Sequence, residues 1–166
     1  DKLCRLTKLK NIKHMYLYGC LVLGVLIVCQ LSGFWINENL PQNTSLEIND
    51  FLYFTHIRNF GGIFGLGQDM GWLFGLISLF LLIGVSAYLW MSSATRRYEY
   101  ICFGFIVGGG LSNVLDRLIY GSVIDFIDIQ NIPFWSYIFN TADLMIHVGI
   151  WPMLFLSLTA SESSKP

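Results

Sequence analysis

The chain has 166 residues, of which 54% are hydrophobic and 13% charged, with a mean hydropathy of +0.57. A soluble domain carries roughly twice that share of charge, and the length fits one domain, residues 1–166. The net charge of −1 and the absence of any Lys/Arg run give nucleic acid no phosphate-binding patch. The four cysteines, Cys4, Cys20, Cys29 and Cys102, show no metal-ligand spacing. Three of them lie in apolar runs and read as small core hydrophobes.

A membrane-spanning helix needs about 20 apolar residues. Four stretches qualify or come close: 16–36, 70–91, 99–116 and 139–160. The first is too long for a secretory signal peptide and lacks a small-x-small end, so it reads as a retained span. Between the spans lie two polar segments, 37–69 and 117–138. Lys2, Arg5, Lys8, Lys10 and Lys13 precede the first span, Arg96 and Arg97 separate the second from the third, and Lys165 follows the fourth. This bias predicts that both termini are cytoplasmic and that the other two segments are external.

The first external segment contains "SLEINDFLYFTHIRN" (45–59), rich in aromatic and β-branched residues. It predicts a strand lying at the membrane surface. "SVIDFIDI" (122–129) is a second candidate. Alternation there places Val123, Asp125, Ile127 and Ile129 on one face and Asp128 on the other. The predicted fold is a membrane all-α bundle of four transmembrane helices with a small external β-sheet at the membrane surface.

On the third span, Gly104, Gly108 and Ser112 recur every four residues, a spacing that lets another helix approach closely. The span ends in a polar cluster, Asn113, Asp116 and Arg117. Asp116 beside Arg117 reads as an ion pair fixing the helix end. On the fourth span, Asn140, Asp143 and His147 fall on one helical face. Charged side chains within a span are rare and usually face a polar interior or a working site. Asp125 and Asp143 have apolar neighbours and no adjacent cation, a setting that raises a carboxyl pKa. Two such groups brought together cannot both ionise easily. One can then act as acid while the other activates water, which is aspartic-protease chemistry.

Other chemistries have weaker support. Three histidines, His14, His56 and His147, with no HExxH do not suggest a metal site. His147 reads as a polar residue satisfied inside the bundle. Ser112 with His147 as base is a second hydrolytic arrangement that the spacing permits.

"GGGLSNVLDRLIYGSVIDFID" (108–128) and "FNTADLMIHVG" (139–149) resemble the signature of lipoprotein signal peptidase, or signal peptidase II. "HIRNFGGIFG" (56–65) resembles a third motif of that family, Asn-x-Gly after a surface strand, here Asn59 and Gly61. The resemblance runs from about Tyr16 to Leu156. It implies an intramembrane aspartic endopeptidase of the bacterial cytoplasmic (inner) membrane, with its site on the external side. Its substrates would be prolipoproteins carrying a diacylglyceryl-modified cysteine, cut just before that cysteine within membrane lipid. The catalytic pair would be Asp125 and Asp143. Asn59, Asn113, Arg117 and Asn140 would line the site and hold substrate, with Gly61 and Asp116 beside them. No metal or organic cofactor is implied, and globomycin-type inhibitors are expected to bind.

The chain departs from the family pattern at the end of its first span. Asp-Gln followed by a lysine three residues after the Gln is common there. This chain has Cys29, Gln30 and Gly33. The missing acid and lysine suggest a lost ion pair between the first span and the external domain. A non-catalytic four-span protein binding lipidated segments is the alternative reading.

Overall fold

The computed structural model describes residues 2–62, 66–92 and 95–162, with side chains between 12 and 159 among these. The end of the 56–65 motif, Lys165, and the side chains of Lys2, Cys4, Arg5, Lys8 and Lys10 lie outside the described residues.

Among the described residues four helices form the body: α1 (Lys2–Asn39), α2 (Gly71–Met91), α3 (Arg97–Tyr120) and α4 (Thr141–Glu162). Each has a stretch long and apolar enough to cross a membrane. Half of the most apolar window of α3 is buried, against 11–22% for the others. The helix is therefore the centre of the bundle.

Its glycines are the reason three helices can surround it. A Cβ on Gly108 would lie 2.7 Å from Val25 Cβ of α1, and one on Gly109 would lie 2.5 Å from the Ala142 carbonyl oxygen of α4. On Gly110 it would meet Leu82 of α2 at 2.8 Å. Successive residues point about 100° apart on a helix, so three adjacent glycines serve three different neighbours. Cys29 and Cys102 are buried, whereas Cys20 is exposed on the outer surface.

The segments between α1 and α2 and between α3 and α4 form one antiparallel sheet of order β1-β2-β3-β4, made of β1 (Ser45–Asn49), β2 (Leu52–Asn59), β3 (Val123–Ile129) and β4 (Ile138–Phe139). Residues 45–59 are thus a hairpin rather than one strand. Asn49 explains the break: its side-chain oxygen accepts from the backbone N–H of Phe51 and of Leu52, an Asx turn that reverses the chain. Ile36 of α1 packs under the sheet against Ile124 and Phe126.

Two helix ends differ from the sequence expectation. α3 runs past Asp116 to Tyr120 and stops at Gly121, whose φ of 70° forms a left-handed cap. Phe139 belongs to β4, and Asn140 caps α4. The Asn140 side-chain oxygen accepts from Asp143 N at 2.9 Å, and the Asp143 carboxylate accepts from Asn140 N at 3.3 Å. This reciprocal pair is a capping box.

Candidate active site

Asp125 lies on β3, between two flanking strands. Asn59 ends β2, paired with Val123 of β3, and Asn140 directly follows β4. The sheet therefore brings one asparagine to each side of the Asp125 carboxylate. Asn140 Nδ2 donates to it at 2.7 Å and Asn59 Nδ2 at 3.1 Å. Asp125 is almost completely buried, with 2% of its surface exposed.

Asp143 sits in the first turn of α4. The positive end of the helix dipole favours a carboxylate at that point. Asn113 Nδ2 of α3 donates to it at 3.0 Å, and the Tyr137 hydroxyl lies 3.5 Å from its other oxygen. Asn113 and Asn140 are also joined, Asn140 Nδ2 donating to Asn113 Oδ1 at 3.1 Å. Asp125, Asn140, Asn113 and Asp143 thus form one hydrogen-bonded network at the sheet end of the bundle. Burial, and after it the nearby charge of Asp143, pushes the Asp125 carboxyl up to about 7. Burial also pushes the Tyr137 hydroxyl up, with Asp143 adding to the effect. Tyr137 was not singled out in the sequence; only its position six residues before Asp143 points to it.

Arg117 and Asp116 part company. Adjacent helical residues do not face each other. The Arg117 guanidinium donates to Asn113 O at 3.0 Å and to Gly61 O at 2.9 Å, while its Nε is buried without a hydrogen-bond partner among the described residues. It runs along α2, where Cβ atoms on Gly71 and Gly75 would lie 3.8 and 3.3 Å from it. Gly61 must be glycine, since a Cβ would come within 2.4 Å of Leu66 O. Asp116 points to the other side of α3 and accepts from Gln30 Nε2 and Ile124 N. Its hydrogen bonds thus go to α1 and β3, not to the guanidinium expected to pair with it.

His147 is exposed on the outer surface, not inside the bundle, and stacks on Trp151 with centroids 6.2 Å apart. The cause is Gly149, the position where α4 meets α3. A Cβ there would be 2.4 Å from Cys102 O, and a residue two places away points about 200° from that face. Ser112 is buried and its hydroxyl accepts from Gln30 at 2.9 Å. A Ser112–His147 catalytic pair has no support in this arrangement.

Residues 21–159 match the family model described as signal peptidase (SPase) II. The chain belongs to the signal peptidase II family. Lipoprotein signal peptidase of Syntrophomonas wolfei is 37% identical over 145 residues, covering 87% of this chain and 93% of that protein. That of Caulobacter vibrioides is 35% identical over 143 residues, covering 84% of each. A solved structure described as a bacterial membrane enzyme superposes with a TM-score of 0.81 at 24% identity, over 89% of this chain and 91% of that one, and shares the fold. A second with the same description has a TM-score of 0.74 at 25% identity, over 85% and 91%.

Cys29 and Gly33 line a cavity of about 10 Å³, together with Ser112, Asn113, Asp116 and Asn140. This is near the lower bound for a single water. A Cβ on Gly33 would find only Ile124 Cδ1, at 3.9 Å.

Proposed function

We propose that this chain is an intramembrane aspartic endopeptidase of the bacterial inner membrane that removes signal peptides from prolipoproteins. The substrate would carry a diacylglyceryl group on the cysteine just after the cut. The observation that carries the reading is the linked pair Asp125 and Asp143, two carboxyls joined through Asn140 and Asn113 at the end of membrane-spanning helices. With the Asp125 carboxyl raised to about 7, a substantial share of the pair carries one proton at neutral pH.

The chemistry follows from that proton. Asp143 takes a proton from water, and the water oxygen bonds to the scissile carbonyl carbon. Asp125 gives its proton to the carbonyl oxygen. Collapse of the tetrahedral intermediate breaks the C–N bond, and the leaving amine receives a proton from the pair. The network supplies only hydrogen-bond donors to the two carboxylates, from Asn59, Asn113, Asn140 and Tyr137. Arg117, bonded to Asn113 O and Gly61 O, adds a positive charge near the pair. The lipid on the substrate cysteine would remain in the bilayer while the peptide bond reaches the pair at the membrane's external edge. A globomycin-type inhibitor would occupy the same place.

The test is cleavage of a diacylglyceryl-modified prolipoprotein by the purified chain, read as a gel shift. Release of the signal peptide, blocked by globomycin, is expected. Binding of the lipidated substrate without cleavage would support the non-catalytic alternative instead.

A further inference from the structure

We infer that Gln30 and Asp116 act as positioning residues that fix the height of Asp125, an inference resting on the aspartic reading above. Gln30 Nε2, on α1, donates to Asp116 Oδ1 at 2.8 Å and to Ser112 Oγ at 2.9 Å. Asp116 Oδ2, on α3, accepts from the backbone N–H of Ile124 at 3.3 Å. Ile124 immediately precedes Asp125. The relay therefore runs from the first span, through the third, to the strand carrying one carboxyl of the pair.

The bond lies where placement matters. β3 is held at Asp125 by β2 and by Asn140, which also bonds Asn113 of α3; Asp116 adds a second tie, at the residue before Asp125. Asp116 ties β3 to the helix that also carries Asn113, the donor to Asp143. Both carboxyls are then referred to one rigid element. Asp116 is 7% exposed and Ile124 1%, so water cannot substitute freely for a lost partner, and an unpaired buried carboxylate is costly. Cys29 and Gly33 place no hydrogen-bonding side chain on Asp116 in the structure. Gln30 is the α1 residue that donates to it.

Four variants of the full chain test this, each reconstituted and assayed on diacylglyceryl-modified prolipoprotein across pH. Gln30→Leu removes the donor at similar volume. Its kcat should fall roughly 10–100-fold, the scale of a misplacement of about 1 Å, with KM unchanged. The alkaline limb of the rate should move to lower pH as Asp125 becomes less well enclosed. Gln30→Glu puts two carboxylates face to face and should lose rate similarly. Gln30→Glu combined with Asp116→Asn restores the bond in reverse, since the new amide donates to the new carboxylate and still accepts from Ile124 N. That exchange should recover most of the rate and return the limb to its place. The inference is overturned if folded Gln30→Leu keeps the wild-type kcat and pH profile, or if the exchange recovers thermal stability but not rate. Asp125→Asn is the fourth variant. If it is inactive while Gln30→Leu cleaves normally, the relay alone fails; if it cleaves normally, the aspartic reading fails and the relay with it.

Discussion

Asn140 donates to Asp125 at 2.7 Å and caps the helix that carries Asp143. One residue thus joins a strand to a span and links the two carboxyls.

The two jobs of Asn140 can be separated. Asn140→Ala should lose the cap, worth about 1 kcal/mol, and also the bond to Asp125. Asn140→Ser keeps a capping oxygen but is too short to reach Asp125. Thermal unfolding in detergent should find the serine variant close to wild type in stability. Cleavage assays should find both variants strongly impaired. Equal recovery of stability and rate in the serine variant would assign Asn140 to the cap alone.

The Asp125 carboxyl, held up to about 7, sets a sign for pH effects. The folded state binds this proton more tightly than the unfolded chain, where an Asp titrates near 4. Its contribution to stability is therefore complete below about pH 4 and is lost as pH rises through about 7. Unfolding of the wild type should show that decline, and Asp125→Asn should lack it. Cleavage should fall along an alkaline limb in the same region, because the doubly ionised pair has no proton to donate.

The glycines of α3 make a packing prediction. Gly108→Ala and Gly109→Ala place a Cβ 2.7 Å from Val25 and 2.5 Å from Ala142 O. Each should destabilise by about 1–3 kcal/mol, as overpacking does. Gly84→Ala on α2 meets nothing within 4 Å and should be neutral or mildly stabilising. The comparison of three melting curves checks it.

The orientation proposed from the basic residues predicts that a reporter active only outside the cytoplasm works when fused within 37–69 and fails at the C-terminus. Activity at both positions would contradict two cytoplasmic termini.

The four spans were legible because 20-residue apolar runs have few other uses. The two carboxyls stood out for a similar reason: Asp125 lies between Ile124 and Phe126, and Asp143 inside an apolar helix. The missed features were set by contacts remote in sequence. Gln30 and Asp116 are 86 positions apart, and no local pattern joins them. Asp116 next to Arg117 suggested an ion pair, but helical geometry sends neighbours to different sides of α3. The hairpin at Asn49 depended on one side chain accepting two backbone N–H groups. β4 is two residues long and merged with the apolar run of the fourth span, hiding the turn at Asn140.

The central claim is that Asp125 and Asp143 act as one proton-sharing pair. The most direct measurement is single-turnover cleavage of a diacylglyceryl-modified prolipoprotein by reconstituted Asp125→Asn and Asp143→Asn, with folding checked by thermal unfolding. General acid–base help contributes roughly 10²–10⁴-fold, and residues acting as a unit are each indispensable. Both variants should therefore fold and lose cleavage by several orders of magnitude, and the double variant should be no slower than either. Near wild-type cleavage by folded Asp143→Asn would contradict the account, leaving that carboxylate as a helix cap and nothing more.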